Sequence, residues 1–400
     1  MGRSLSTRFS VYFLMLKLLT LGGNLNSTMQ TIRDTIYSFK ARWFDPHAQL
    51  NRQFHVRYFA DTHNVEIFDT KSNKLFLKKS ELPSSLAPRD FFLGAKVLLY
   101  GRHFELLEYL DPFTAEKLGR QQQKAVLVVQ HADLVASAFG ALLDALQRQQ
   151  FALSALKMLR VRRADAEKFL EFHRSATDFG DRVDRLSGAP VVAMELVAEQ
   201  CLDKLKQFVP TLLARFGVDA LALDVSSTVL DAQRYREFFF ETSHGATAQL
   251  KHCTCCVILP HILKEGLAGE VIEAIQQGPD VRITAMELFN LDRTTAAEFL
   301  EVYEGVVPHF NETVDHFTTG PCIALELVGK HPESVVAKFR EHMGPWDVEM
   351  AKELKPNTVR ARFGHDRVRN AVHCTDLAED GVLECEYFFD ILSKRQVKSS

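Results

Sequence analysis

Short runs of alternating or aromatic-rich residues predict a β-rich region from about Phe39 to Leu118. The predicted strands are Phe54–Ala60, Val65–Phe68, Lys74–Lys78, Lys96–Gly101 and Phe104–Tyr109. Turn-forming residues separate the first three, at Asp61–Asn64 and Lys71–Asn73. We find no catalytic grouping in this region, and we expect most of its aromatic side chains to pack in a core.

From Lys124 onward the chain contains an internal repeat, in which five segments recur in the same order. The matching pairs are Lys124–Val129 with Thr254–Ile258, Ala155–Arg163 with Ala285–Arg293, Gly188–Val197 with Gly320–Val328, Arg215–Gly217 with Arg362–Gly364, and Glu237–Phe240 with Glu386–Phe389. Each copy alternates strand and helix, with predicted helices at Ser137–Gln149 and Gly269–Gln277. This pattern predicts an α/β sandwich whose sheet is covered by helices on at least one face.

The two copies differ in one long segment. Between the third strand and the Arg-Phe-Gly triplet, the first copy is about half as long as the second. The additional residues of the second copy are irregular and contain prolines, at Gly344–Asp347 and Lys355–Thr358. Long irregular segments in compact domains are usually functional, so we expect the first copy to have lost a function that the second retains.

Composition places the protein among ordinary globular chains. It has 400 residues, 25% of them charged, and a formal net charge of -3. This length suggests two or three domains, and the near-neutral charge argues against nucleic-acid or membrane-surface binding through a basic field. The seven cysteines are scattered, which favours free thiols in a reducing compartment. The group Cys253–Cys256 lacks a matching second pair, so we expect no metal there.

The first residues allow three interpretations. The apolar run Phe9–Leu21 lies behind Arg3 and Arg8 and resembles a signal peptide, although a lysine interrupts it. Gly2 fits a loose myristoylation pattern. We prefer a third interpretation, in which translation begins at Met29 and the preceding residues are a spurious or disordered extension.

The segment Thr358–Asp376 carries the chemistry that stands out most clearly in the chain. It contains a histidine, His373, three residues after an Arg-Asn pair, Arg369-Asn370. With Arg360 and Thr375, this group offers a nucleophilic imidazole, cations for a phosphate and an amide for a sugar or phosphate oxygen. Such a set suits phosphoryl transfer through a phosphohistidine, whereas a histidine buried only for packing would not need this company.

These residues resemble the nucleoside diphosphate kinase family, whose units have a ferredoxin-like βαββαβ fold. The order of a β-rich region and two kinase-like units resembles one branch of that family, in which a doublet-microtubule (DM-ten) domain comes first. Trp43–Pro46 and Phe92–Val97 carry this second likeness. The resemblance covers roughly residues 38 to 392 and implies an α+β chain. The implied regions are a disordered or spurious extension at 1–37, a β-rich, PH-like DM-ten domain at 38–120, a degenerate kinase-like domain at 121–245 and a second one at 250–393.

The resemblance also assigns roles. It makes His373 the phosphate-accepting residue, and Glu384 the carboxylate that orients its ring. Thr375 stands where the family has a serine. Arg360 would hold the terminal phosphate and Asn370 would contact the sugar. Tyr303 and Arg369 complete the expected nucleotide-binding set. If the site is competent, the implied ligands are ATP or another nucleoside triphosphate with Mg²⁺.

Several positions depart from the family pattern. Leu259 stands where the family has a lysine that reaches the phosphate in transit, and losing one such donor costs on the order of 100- to 1000-fold in rate. The threonine and arginine that grip the diphosphate correspond to Met343 and about Ala337, with Lys338 or Arg340 as partial substitutes.

The first copy departs further. Its lysine position is Gln130, its arginine position is Leu213, and its histidine position falls near Ser226, with the asparagine at about Leu223. Because this copy keeps neither nucleophile nor cation, we expect an inactive scaffold.

Three functions follow from the resemblance. The first, which we favour, is a structural protein that binds tubulin and other proteins of the ciliary or flagellar axoneme, in the cytoplasm and cytoskeleton. The second is a nucleoside diphosphate kinase acting through phosphorylated His373, and a weaker third is a nucleotide-binding regulator. We also expect the two kinase-like units to pack as a pseudo-dimer within the chain.

Overall fold

The computed structural model describes residues 34–45, 48, 50–84, 86–119, 123–278 and 281–395. The predictions of a signal peptide, a myristoylation site and a later translation start fall on residues 1–33, outside the described residues. Among the helices of the described ranges, none is both long enough and apolar enough to cross a membrane.

The N-terminal region folds into a six-stranded antiparallel sheet followed by a helix. Its elements are β1 (Ile36–Asp45), β2 (Leu50–Phe59), β3 (Asn64–Asp69), β4 (Lys74–Glu81), β5 (Lys96–Leu99), β6 (Arg102–Tyr109) and α1 (Pro112–Gly119). The strand order is β4-β3-β2-β1-β6-β5. One face of the sheet encloses an aromatic core that includes Phe39, Phe54 and Phe104. The expected β-rich, PH-like region is confirmed as a curled sheet.

Strand β1, one of the two longest in this sheet, was not predicted. Its buried residues Phe39 and Ala41 alternate with Lys40 and Arg42. These two cations pair with Glu108 and Glu105 across the neighbouring strand β6. The apolar half of the alternation is short and contains an alanine, so its period is weak in the sequence.

Residues 123–395 form one eight-stranded sheet with helices. The strands are β7 (Gln123–Val129), β8 (Ala152–Leu159), β9 (Val191–Ala198), β10 (Leu223–Val225), β11 (Cys253–Ile258), β12 (Val281–Phe289), β13 (Cys322–Gly329) and β14 (Val372–Cys374). The helices of the first half are α2 (Phe139–Arg148), α3 (Arg163–Phe169), α4 (Phe179–Gly188), α5 (Cys201–Phe216) and α6 (Val229–Arg236). Those of the second half are α7 (Pro260–Glu265), α8 (Ala268–Gln276), α9 (Arg293–Leu300), α10 (Phe310–Phe317), α11 (Val335–Met343), α12 (Val348–Leu354), α13 (Val359–Phe363) and α14 (Asp380–Glu386).

The strand order β10-β7-β9-β8-β12-β13-β11-β14 shows two copies of one antiparallel unit. In each unit the fourth strand lies beside the first, which lies beside the third, and the second strand is at the inner edge. This is the ferredoxin-like βαββαβ arrangement, so the α+β fold class is confirmed. The alternating pattern of the sequence missed the fourth strand of each unit because it is only three residues long.

The two units meet as a pseudo-twofold pair. Their inner edges, β8 and β12, join through a single antiparallel pair, Lys157 with Glu287. Beneath this junction α2 packs against α8, and the contact is reciprocal. The backbone N–H of Gly140 donates to Gln276 Oε1 at 2.9 Å, and that of Gly269 donates to Gln147 Oε1 at 2.7 Å. The expected arrangement of two units packed as a pair within one chain is therefore present.

Candidate active site

His373 lies at the centre of β14, the short strand at the outer edge of the second unit. It is paired with Val257 of β11. Its neighbours Val372 and Cys374 point into the core beneath the helices α2 and α8. Because side chains alternate along a strand, the imidazole points to the opposite side. There it contacts the edges of Phe299 and Tyr303, with ring centroids 4.9 Å and 5.8 Å away.

A carboxylate on α14 holds the imidazole through one of its two ring nitrogens. His373 Nε2 is 3.2 Å from both oxygens of Glu384. The Thr375 hydroxyl donates to Glu384 Oε2 at 2.8 Å and accepts the backbone N–H of Cys255 at 2.9 Å. Because a carboxylate accepts, Nε2 carries the proton and Nδ1 presents its lone pair. The structure thus brings together the three residues expected to be catalytic.

The free nitrogen of His373 is enclosed. Nδ1 is buried and has no hydrogen-bond partner in the part of the chain that the structure describes, and the whole residue is only 3% exposed. A buried acceptor without a partner loses its hydration without compensation, a cost that is uncommon except at sites with a chemical role. The geometry therefore fits a nucleophile, but one that a phosphate reaches only if the surrounding side chains move.

Arg360 lies on α13, and backbone carbonyls next to the site occupy its guanidinium. Its Nη1 donates to Gly344 O at 2.8 Å, and Nη2 and Nε donate to Val372 O at 3.1 Å and 3.3 Å. The guanidinium also lies 5.7 Å from the ring centre of Trp346. Arg360 is buried and forms no ion pair among the described residues. Its charge is available to an anion, although much of its hydrogen-bonding capacity is used to hold the loop.

The other two arginines near the site are paired with carboxylates. Arg340, on the last turn of α11, binds Asp376 Oδ1 at 3.0 Å. Arg369 is exposed and binds Asp366 at 2.6 Å. The neighbouring Asn370 is buried. Arg369 thus lies at the surface beside Asp366, and the structure does not bring it to the imidazole.

Two of the expected departures from the family pattern occupy different surroundings. Leu259 is 2% exposed and belongs to the apolar cluster that also contains Phe299. A leucine there supplies packing and no charge. Met343 is fully buried in the core on the other side of the sheet. Its side chain has no surface to offer a ligand, and the assignment of Met343 to the family's phosphate-gripping position stays a prediction.

The residue that does reach the site from this loop is Trp346, which sequence analysis missed. Its ring centroid lies 6.3 Å from that of Tyr303, and the Arg360 guanidinium carbon lies 5.7 Å from the same Trp346 centroid. With Tyr303, Val307 and Phe310 it lines a small apolar pocket next to the histidine. Burial, followed by the carboxylates of Glu384 and Asp376, raises the pKa of Tyr303, so its hydroxyl stays neutral. The Gly-Pro-Trp-Asp sequence drew attention to the loop, but it did not show which side chain turns inward.

The equivalent of His373 in the first unit is Asp224. Asp224 pairs with Val128 of β7 as His373 pairs with Val257 of β11. Two residues later, Ser226 Oγ accepts the N–H of Val126 at 2.9 Å, as Thr375 accepts that of Cys255. Ser226 therefore corresponds to Thr375, and placing the histidine position near Ser226 was wrong by two residues.

In the first unit an acid and a phenol replace the histidine and its carboxylate. Tyr235, on α6, donates to Asp224 Oδ2 at 2.8 Å. Burial raises the pKa of Asp224, against the lowering effects of the Tyr235 hydroxyl and Arg182. At the other two degenerate positions, Gln130 is buried at the end of β7 and Leu213 packs against the core. This unit contains no imidazole at the site.

Comparison with known proteins agrees with this geometry. The family model described as "Nucleoside diphosphate kinase" matches residues 123–212 and 252–392. The chain belongs to the nucleoside diphosphate kinase family. It is 36% identical to "Nucleoside diphosphate kinase homolog 7" of Rattus norvegicus and 35% identical to that of Mus musculus; both matches cover 89% of this chain and 93% of the relative. A nucleoside diphosphate kinase of Nitratiruptor sp. is 38% identical over 34% of this chain and 93% of its own length.

The resemblance inferred from the sequence is thus confirmed. Use of nucleotides and Mg²⁺ is general in this family, which gives the second unit a ligand class. The residues fit that ligand in part: the Nδ1 of His373 suits a phosphoryl group, and the buried Arg360 donates to the backbone oxygen of Val372, the residue before the histidine. By the family resemblance, Leu259 stands where other members have the lysine that would neutralise the moving phosphate. The roles of the individual site residues stay predictions.

Proposed function

We propose that this chain is a structural protein of the ciliary or flagellar axoneme, where it binds tubulin and neighbouring proteins inside doublet microtubules. Its kinase-like units would serve as binding surfaces and would have weak or no catalytic activity. Localisation in the cytoskeleton is part of the same proposal. The likeness of the first domain to DM-ten domains suggests this place.

The proposal rests on the surroundings of His373, where the free ring nitrogen is buried and a positive charge of the family pattern is missing. The Nδ1 of His373 is buried, and Leu259 replaces a cation at the site. Phosphoryl transfer depends almost entirely on positioning and charge stabilisation. A site without the lysine and without an open path to the nitrogen is therefore expected to be slow by at least about 100-fold.

The surface of the N-terminal region supports a binding role. Several large apolar side chains are exposed there although the region is small. They are Ile36, Phe44, Leu50, Leu75, Phe76, Tyr100, Leu110 and Phe113. Leu75 lies on β4, an edge strand of the sheet, and is 50% exposed. Exposed apolar side chains that form a continuous patch are typical of surfaces that bind other proteins, and these eight residues are the candidates for such a patch.

Catalysis is tested by incubating the purified chain with γ-labelled ATP. We expect little acid-labile label on the protein and little transfer to a nucleoside diphosphate. We expect Leu259→Lys to raise labelling at least about tenfold, because it restores a donor to the developing charge. Leu259→Met keeps the volume without the charge and serves as the matched control. Rapid transfer by the unmodified chain, lost in His373→Ala, would contradict the proposal.

The second candidate function is nucleoside diphosphate kinase activity in the second unit. The intact arrangement of His373, Glu384 and Thr375 favours it. In that reaction Nδ1 would attack the γ-phosphorus of ATP, the bond to the bridging oxygen would break, and ADP would leave. A nucleoside diphosphate would then take the phosphoryl group from the histidine. Glu384 would hold the Nε2 proton throughout and stabilise the charge on the ring.

The binding role is tested by localising a tagged copy in ciliated cells. We expect the signal along the axoneme. Leu75→Asp should weaken it, because a charge on the β4 edge opposes apolar docking. Leu354→Asp changes a leucine that is also exposed but lies on α12 of the second unit, and it should leave the signal unchanged. A diffuse cytosolic signal of the unmodified chain would favour the enzyme.

A further inference from the structure

A buried glutamate occupies the same position in both units, but its partners differ. In the first unit Glu195, on β9, binds Lys124 Nζ at 2.8 Å and Arg236 Nη1 at 3.1 Å. The Ser154 hydroxyl donates to it at 2.6 Å. Burial alone would raise the pKa of Glu195, but the two cations lower it to about 2. Two positive charges therefore hold this buried carboxylate in its ionised form.

The equivalent residue of the second unit is Glu326 on β13, and it is fully buried. As in the first unit, a hydroxyl donates to it: the Thr284 hydroxyl donates to Glu326 Oε2 at 2.5 Å. The backbone N–H groups of Gln249 and Leu250 also donate to the carboxylate, at 2.8 Å and 2.7 Å. Among the described residues, no lysine or arginine pairs with it. A carboxylate fully buried without a cation is costly.

Cysteines occupy the positions of the two missing cations. Cys253 lies at the start of β11 as Lys124 lies at the start of β7, and Cys385 lies on α14 as Arg236 lies on α6. One ligand atom from each of Cys253, Cys385 and Glu326 lies within 4.8 Å of the other two. Both thiols are buried and neither forms a disulfide.

A close backbone contact brings the two cysteines together. A Cβ atom at Gly381 would lie 2.2 Å from Cys253 O, so α14 approaches β11 at a point where only glycine fits. Cys385 follows one helical turn later. Cys255 points from β11 to the same side as Cys253, and its thiol lies beside that of Cys385. A third sulfur is thus available at the same place.

We propose that Cys253, Cys385 and Glu326 bind a divalent zinc ion in the second unit, with Cys255 as the fourth ligand. Thiolate and carboxylate are both ligands that zinc accepts, and closed four-ligand sites of this kind are structural. Tetrahedral zinc–thiolate geometry places sulfurs about 3.8 Å apart, so the ligand atoms of Cys253, Cys385 and Glu326 need to close by at most ~1 Å. Cys255 lies outside this group of three and would have to move further to become the fourth ligand. The thiolates of Cys253 and Cys385 would balance the charge of the ion, so zinc would hold the Glu326 carboxylate by coordination, whereas Lys124 and Arg236 hold Glu195 by net positive charge.

Binding would displace protons from the thiols to solvent. Zinc would also fix α14 against β11. Glu384, the residue next to Cys385, orients the imidazole of His373, so the ion would stabilise the candidate active site without touching it.

The proposal is tested by measuring zinc in the purified full-length chain by mass spectrometry after dialysis against a weak chelator. We expect about one equivalent, lost in Cys253→Ser and Cys385→Ser and retained in Cys322→Ala. Cys322 is equally buried in the same apolar cluster and is not among the proposed ligands. Replacing zinc with Co²⁺ should produce thiolate-to-metal absorption that disappears in the same two variants.

A second variant distinguishes the loss of zinc from a failure to fold. The double substitution Cys253→Lys with Cys385→Arg copies the cations of the first unit. We expect it to fold without zinc and to show the same thermal midpoint with or without a strong chelator, whereas the midpoint of the unmodified chain should fall on chelation. The absence of zinc from the unmodified chain would overturn the proposal. So would an intact mass two hydrogens lower than that of the reduced chain, because it would identify a disulfide instead.

Discussion

His373 and Asp224 occupy the same place on the fourth strands of their units, and this pair shows how single side chains decide chemistry here. The imidazole of His373 offers a lone pair held in place by Glu384. The carboxyl of Asp224 instead accepts a bond from Tyr235 and has a raised pKa. Asp224 accepts a hydrogen bond from the Tyr235 hydroxyl, as Glu384 accepts one from His373, but it has no nitrogen to phosphorylate. The first unit therefore lacks the nucleophile although it keeps a buried hydrogen bond at the same place.

A pair of buried histidines makes the free energy of unfolding depend on pH. His261 Nδ1 is 2.9 Å from His316 Nε2, and His365, Arg369 and Asp366 face the pair. Burial and neighbouring positive groups lower the pKa of His261 to about 3, and burial followed by Arg369 lowers that of His316 to about 4, from 6.5. Between pH 6.5 and these values the unfolded chain binds more protons than the folded one. The free energy of unfolding should therefore fall as the pH falls through this range.

We expect a loss on the order of 2 kcal/mol per histidine between pH 7 and pH 4.5. Urea unfolding followed at pH 7, 5.5 and 4.5 measures it. His316→Gln should flatten the dependence, whereas His331→Gln, at an exposed position, should not. Equal slopes in all three proteins would show that the buried pair does not titrate as described.

At the scale of elements, α2 and α8 hold the two units together through an unusually close approach. A Cβ atom on Gly140 would lie 2.2 Å from Glu273 N, and one on Gly269 would lie 2.1 Å from Asp144 N. The sequence predicts both helices, because their apolar residues have the helical period. It does not show that the helices face each other, since periodicity identifies an apolar face and not its partner. The two glycines are the signal that could have indicated the contact.

Gly140→Ala should destabilise the folded chain. The helix propensity of alanine favours the change by about 1 kcal/mol, but the clash with the backbone of α8 forces the helices apart and costs more, typically up to about 3 kcal/mol. The matched control is Gly180→Ala in α4, where a Cβ atom would meet nothing within 4 Å. Guanidinium unfolding of both variants checks the prediction. Unchanged stability of Gly140→Ala would mean that the contact between α2 and α8 is looser than described.

At the scale of the whole molecule, the internal repeat was readable because the matched segments are the buried strands and the residues that flank them. The β-rich start and the chemistry around His373 follow from such local patterns, whereas the ferredoxin-like fold of the units was implied by the family resemblance. The proposed zinc ligands could not be predicted, because Cys253, Glu326 and Cys385 are far apart in the sequence and meet only through the sheet and α14. The position of Asp224 was missed because β10 is too short for its register to be read without its partner.

The pseudo-twofold arrangement predicts how the chain behaves in solution. Each unit uses its inner strand edge and its α2 or α8 face to bind the other unit, and these are the surfaces a separate unit would offer to a second copy. The outer strands β10 and β14 are three residues long, so they offer little edge for pairing between chains. We therefore expect a monomer, with a mass near 45.4 kDa by light scattering or sedimentation equilibrium at micromolar concentration. A stable hexamer, as the resemblance to single-unit kinases would suggest, would show that surfaces other than the internal interface drive assembly.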